Sequence, residues 1–195
     1  KVPTSALLAD TLAAAGLARA YGLQPEWVRR GILEFELAEH RRAVVGTFGG
    51  VTYIDDSKAT NTHAAAASLR DIDDKRAVWI VGGDAKGQDF HSLVQVAAPK
   101  VKAAVLIGLD PEPFESAFAE NGAGIPLKRV APGDNLMERT LLEARALAVP
   151  GDTVLLAPAC ASWDQFNNYH ERGDQFAQAA RKLGENQDGG EEQGS

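Results

Sequence analysis

The sequence predicts an α/β protein built on a Rossmann-like, mostly parallel sheet with helices on both faces, preceded by two separate helices. Three observations carry that expectation. From residue 43 onward, short apolar runs alternate with segments of helical periodicity. The runs are continuous rather than alternating, as in strands covered on both faces. Strand and helix patterns in strict succession imply right-handed βαβ crossovers, and hence a parallel sheet.

Taken in order, "SALLADTLAAAGLARAYG" reads as a helix with Ser5 as its N-cap and Gly22 as its stop. In "PEWVRRGILEF", Pro25 suits a helix start, and Trp27, Val28, Ile32 and Leu33 recur at helical spacing. Two helices cannot close a core alone, so residues 1–38 read as the edge of something larger. "AVVGTF" and "VTYI" flank Gly49-Gly50, a hairpin turn. An alanine-rich helix follows. "RAVWIVGG" then leads to a helix from about His91, and "AAVLIG" to one from about Pro111. "PLKRV" precedes "DNLMERTLLEARALA", capped by Asp134 or Asn135, and "DTVLLAP" precedes a last helix, "ERGDQFAQAARKLG". The polar, glycine-rich stretch 184–195 is expected to be disordered.

The bulk numbers bound the function. A net charge of −7 argues against a broad nucleic-acid surface, though a local cationic cleft remains compatible with it. No apolar run reaches membrane-spanning length, and the start does not resemble a signal peptide. The single cysteine excludes an internal disulfide framework and fits a reducing cytoplasm.

The chemistry concentrates in three loops, "DDSKATN", "GGDAKGQDF" and "APACASWDQFNNY", each of which follows a strand. In an open parallel sheet, ligands bind at the carboxyl ends of strands, so the fold gathers these loops along one edge. Lys58 and Lys86 are point cations suited to carboxylate or phosphate. Thr60, Asn61 and Ser162 stand near helix starts, where backbone N–H groups favour anions. Asp56 can bond a ribose hydroxyl or assist a metal. The sum reads as a pocket for a small dianion beside a nucleotide.

Plainer readings stand beside these. Asp55 or Asp56 can simply cap the following turn, and Lys86 can be a solvated loop lysine. Cys160 has no Cys-His pattern to make it a nucleophile and reads as a small buried residue. Trp163, Phe166 and Tyr169 read as packing first. His63, His91 and His170 show no metal-ligand spacing, so no metal is assigned to them. Neither a phosphate-loop motif nor a dinucleotide fingerprint occurs in the chain.

The strings "DDSKATNTHAAAASL", "GGDAKGQDF" and "LLAPACASWDQFNNYHERGDQFA", with "EHRR" at 39–42, resemble in order and spacing the Mur ligases that add D-glutamate. The resemblance covers about residues 1–183. It implies that residues 1–38 are closing helices of a central ATPase domain and 39–183 a C-terminal, D-glutamate-binding domain. It implies an ATP-dependent ligase of peptidoglycan synthesis, in which UDP-N-acetylmuramoyl-L-alanine is activated as an acyl phosphate and attacked by the amine of D-glutamate. By this resemblance Lys58, Thr60, Lys86 and Ser162 contact D-glutamate, Trp163 contributes backbone, and Tyr169 supplies a nearby aromatic ring. Arg41 and Asp56 match nucleotide-contacting positions, and His40 is their neighbour. ATP and Mg2+ would be bound mainly by the central domain, so the chain alone is expected to be an inactive cytoplasmic monomer without nucleic-acid or membrane partners. Three alternatives stay open: a related Mur ligase adding another amino acid, a non-catalytic Rossmann-like interaction module, and a dehydrogenase.

Overall fold

The structure, a computed structural model, describes the backbone of residues 5–191 and the side chains of residues 7–185. The chain divides into two units, residues 1–38 and 39–195.

The first unit is a pair of helices, α1 (Ser5–Ala20) and α2 (Pro25–Glu34). Pro25 sits in the first turn of α2, where its missing N–H costs nothing. Gly22 takes a φ of 101° between the two helices, a left-handed geometry glycine adopts without steric cost. The side chain of Ser5, the expected cap, lies outside the described residues. Helix α2 buries none of its residues, and Leu12, Leu17, Trp27 and Leu33 are exposed. Among its described residues, the pair has apolar surface without a core of its own.

The second unit runs β1 (Ala43–Phe48), β2 (Val51–Asp55), α3 (Thr62–Arg70), β3 (Ala77–Gly82), α4 (His91–Ala97) and β4 (Val101–Ile107). It continues through α5 (Glu112–Asn121), β5 (Leu127–Arg129), α6 (Leu136–Leu147), β6 (Thr153–Leu156) and α7 (Tyr169–Glu191). The six strands form one sheet in the order β1-β2-β6-β3-β4-β5. Strand β1 is antiparallel to β2, and every other pairing is parallel. Gly49 and Gly50, with φ of 54° and 74°, make the tight connection between β1 and β2.

Strand periodicity divides the core into two layers. Ala77, Trp79 and Val81 of β3 face one side with Leu69 of α3, Val94 of α4 and Phe114 of α5. Val78 and Ile80 face the other with Leu141 of α6 and Phe176 of α7. The one indole buried in this core donates from Trp79 Nε1 to the Ala157 carbonyl at 2.8 Å, so its burial leaves no unpaired donor.

Two local expectations are corrected. Asn135 does precede α6, but in left-handed backbone and with no side-chain capping bond. The stretch from 184 is helical through Glu191, because α7 propagates from a buried face at Phe176, Ala179 and Ala180 without a new nucleus. Residues 192–195 lie outside the described residues.

Asp152 closes the amino edge of the sheet. Its buried carboxylate accepts from Arg76 at 3.1 Å, Lys102 at 2.5 Å and the Val149 N–H at 2.9 Å. Burial alone would raise this carboxyl, but the bonds from Lys102, Val149 and Arg76 outweigh it and hold it below the ordinary range. A depressed folded pKa gives stability that is present above the unfolded value of about 3.9 and is lost as pH falls through the folded value. Asp152→Asn should therefore lower the urea midpoint at pH 7, with the gap to wild type closing in acid. An equal gap at both pH values would show that the charge is not what matters.

Candidate functional site at the carboxyl edge of the sheet

The strand order sets the site. Strand β6 lies between β2 and β3. Helices α3 and α4, which follow β2 and β3, pack on one face of the sheet, whereas α7, which follows β6, packs on the other. Neighbouring strands thus send their chains to opposite faces, and a crevice opens between their carboxyl ends. The three loops of interest border it.

Backbone hydrogen bonds stitch those loops together. Ala159 N donates to Ala59 O at 2.9 Å, and Gly82 N to Pro158 O at 2.9 Å. Asp84 and Ala161 exchange bonds of 3.0 and 3.1 Å. Gly83 permits that approach: its φ is 132°, and a Cβ there would stand 2.4 Å from the Ala161 carbonyl oxygen.

Arg172 fastens the loops from below. It is fully buried. Its Nε donates to Ser57 Oγ at 3.0 Å, its Nη2 to Ser57 O at 2.9 Å, and Nη1 and Nη2 both reach Cys160 O at 3.2 Å. Ser57 Oγ in turn donates to Tyr169 O at 2.7 Å. One guanidinium therefore ties the loop after β2, the loop after β6 and the start of α7. Burial lowers its pKa to about 10, which leaves it charged at neutral pH.

A second anchor joins the entry segment to the same place. His40 Nδ1 and Asp55 Oδ2 lie 2.6 Å apart, both residues buried, and Lys58 N donates to His40 O at 3.1 Å. Asp55 Oδ1 also accepts the Ser57 N–H at 2.9 Å, so this aspartate does cap the turn. Helix α7 passes close because Gly173 has no side chain; a Cβ there would lie 2.1 Å from His40 Nδ1.

The sequence-predicted residues fall out as follows. Lys58 Nζ stands 4.0 Å from the centroid of the Tyr169 ring, a cation–π contact at the mouth of the crevice. Thr60 is half-buried beside it, and Asn61 caps α3 by accepting the Ala64 N–H at 2.9 Å. Ser162 is buried, and its carbonyl accepts from Phe166 N at 2.8 Å. Lys86 is exposed, in left-handed backbone, beside an open pocket of about 390 Å³ that Gly83, Asp84, Asp110 and Asp164 also line. Arg41 is exposed. Asp56 is turned inward instead: it accepts the Arg42 N–H at 3.2 Å and the Ser68 hydroxyl, and burial raises its pKa.

The aromatic residues need one correction. Phe166 is buried in the core, but Trp163 is 66% exposed and packs no core, since its side chain leaves the loop on the solvent side. The reading of the loops missed Ser57, Gly173 and above all Arg172. A signal for Arg172 existed, because it falls four residues before Phe176 on the buried stripe of α7.

Such a crevice defines a class: a doubly wound α/β domain with lysines and a hydroxyl presented at its topological switch point. Residues 40–160 match the family described as Mur ligase, glutamate ligase domain, and the chain belongs to that family. Among curated relatives, UDP-N-acetylmuramoylalanine--D-glutamate ligase of Streptomyces coelicolor is 51% identical over 91% of this chain and 37% of its own length. The enzyme of the same name from Thermobifida fusca is 48% identical over 90% of this chain and 38% of its own. The chain thus spans little more than a third of these relatives.

Solved structures share the fold. A murein peptide ligase from Psychrobacter arcticus superposes with a TM-score of 0.56 at 15% identity, over 92% of this chain and 38% of that one. Folylpolyglutamate synthase of Mycobacterium tuberculosis gives 0.58 at 18%, over 88% of this chain and 38% of its own.

Two outcomes are expected. Gly173→Ala gains up to about 1 kcal/mol of helix propensity but overpacks against the His40–Asp55 pair at about 1–3 kcal/mol, so a net loss should appear in thermal denaturation. An unchanged or raised midpoint would mean that His40 moves freely. Burial pushes the Cys160 thiol up to about 12. Native protein at pH 8 should accordingly react with a disulfide reagent over about a hundredfold more slowly than unfolded chain. Comparable rates would show that the loop opens.

Proposed function

We propose that the chain is the D-glutamate-binding portion of an ATP-dependent ligase that extends UDP-N-acetylmuramoyl-L-alanine in peptidoglycan synthesis. The observation that carries this reading is the convergence of Lys58, Tyr169 and Ser162 on loops tied to one buried guanidinium. A dicarboxylate amino acid needs separate partners for its two negative groups, and Lys58 and Lys86 occupy different loops of one crevice. Thr60 and Ser162 would add neutral contacts, Trp163 its backbone, and Tyr169 would hold the Lys58 ammonium in position.

The role of these residues is orientation. Fixing both carboxylates presents the amine toward an activated carboxyl, and positioning of that kind can account for much of a rate enhancement. ATP would supply the activation by phosphoryl transfer, with Mg2+ balancing phosphate charge. Exposed Arg41 is suited to reach a phosphate. Asp56 suits a ribose hydroxyl less well, because Arg42 and Ser68 already occupy its carboxylate. His40 would act by holding Lys58 N through its carbonyl rather than by touching nucleotide. ATP and Mg2+ would be held mainly outside these residues, so the chain alone is expected to bind D-glutamate without ligating it. We place the ligase in the cytoplasm, acting as a monomer. No described helix is long and apolar enough to cross a membrane.

The test is an amide NMR titration of the chain with D-glutamate and then L-glutamate. D-selective shifts in the loops at 56–61, 83–90 and 157–168 are expected. Lys58→Ala should weaken them roughly tenfold or more, the worth of a charge-assisted hydrogen bond. Equal response to both enantiomers, or shifts indifferent to Lys58→Ala and Lys86→Ala, would remove the assignment.

A further inference from the structure

We propose that Glu39, His40 and His170 form a binding site for a late first-row divalent cation of the Zn2+ type. One donor atom from each of these residues lies within 4.8 Å of the others. The decisive observation is on His40. It is 6% exposed, yet its Nε2 is buried without a hydrogen-bond partner. Asp174 Oδ1 stands 3.7 Å away, beyond hydrogen-bond reach.

A buried imidazole nitrogen left unpaired is rare in folded proteins and calls for an occupant. The other nitrogen identifies its kind. Nδ1 lies 2.6 Å from Asp55 Oδ2, a contact that fixes the ring and leaves Nε2 as the ring nitrogen able to ligate. A carboxylate behind a histidine is the usual outer support of a metal-binding imidazole. The His170 ring stands edge-on to His40 at 5.1 Å between centroids.

Two imidazoles and one carboxylate suit zinc-type ions and leave a fourth position open. Magnesium and calcium prefer all-oxygen shells, so they fit this set poorly. Tetrahedral donors at about 2.1 Å from a metal stand about 3.4 Å apart, whereas these donor atoms lie within 4.8 Å of one another, so binding requires side chains to move inward. Glu39 and His170 are both exposed and can swing inward, while buried His40 stays fixed. Asp55, Asp174 and Glu39 surround the position with negative charge.

Occupancy would tie the segment 39–42 to the first turn of α7. It would also hold the His170 ring, which lies 4.1 Å from the Tyr169 ring that Lys58 overlies. The cation would thus steady the crevice from outside it. Glu39-His40 and His170 are far apart in the chain, so no sequence spacing announces the set.

The test uses the untagged 195-residue chain, freed of metal and titrated with Zn2+ and, separately, Co2+. One equivalent of either should bind, with Co2+ giving the visible absorption of a low-coordinate nitrogen-ligated site that excess Mg2+ does not displace. His170→Ala and Glu39→Gln should each weaken binding about tenfold or more with the circular dichroism unchanged. His91→Ala, which removes a half-buried histidine paired with Asp89, should leave binding intact. Absence of saturable binding, indifference to His170→Ala, or loss with His91→Ala would overturn the proposal.

Discussion

The carboxyl edge of the sheet depends on one buried cation. Arg172 has no carboxylate partner among its hydrogen bonds; two carbonyls and one hydroxyl hold it. Dipoles can stabilise a desolvated guanidinium only when several are fixed in its plane at once. Those dipoles belong to the loop after β2 and the loop after β6, so neither loop can drift without exposing unpaired charge. Asp152 does comparable work at the amino edge, but with partly solvated lysine and arginine partners. The amino edge is a conventional ion-pair cluster, and the carboxyl edge is a frame set around a guanidinium.

That frame accounts for much of the left-handed backbone among the described non-glycine residues, though Lys75 and Asn135 hold it elsewhere. His40, Arg42, Lys86 and Ala159 all hold left-handed backbone with φ between 48° and 58°, and all four border the crevice or its entry segment. Each such residue costs of order 1 kcal/mol, which persists only where surrounding contacts over-determine it. The contacts are visible: His40 is held by Asp55, Arg42 by Asp56, and Ala159 by Ala59. Lys86 is the least constrained, tied locally by its N–H to Asp84. Its side chain can adjust to a ligand, whereas Lys58 is already oriented by Tyr169.

The division between what the sequence disclosed and what it hid has a physical basis. Strands such as "AVWIVG" announce themselves because burial on both faces leaves no polar position. The crevice was legible because ionic residues clustered where apolar runs ended, and Lys58, Thr60 and Ser162 do stand on neighbouring loops of one edge. Local patterns could not reveal partners that the fold brings from afar. Arg172 meets Ser57, and His40 meets His170, only where the last helix packs across the sheet, and His40 meets Asp55 across fifteen residues of chain. Trp163 misled for the opposite reason, since aromatic character usually means burial and here does not. Residues 184–191 misled through composition, because an established helix extends through glycines that could not start one.

Tyr169 links the lysine side and the histidine side of this edge. Its backbone carbonyl is held by Ser57, and so indirectly by Arg172; its ring carries Lys58 and touches His170. A change on the histidine side can therefore reach the lysine side through one aromatic ring, without moving either loop. An ammonium over a ring is attracted by roughly 1 kcal/mol, enough to bias its direction but not to lock it. A ligand carboxylate can outbid that contact and draw Lys58 away from the ring. Lys58 thus keeps a preferred direction over the ring and can leave it at small cost.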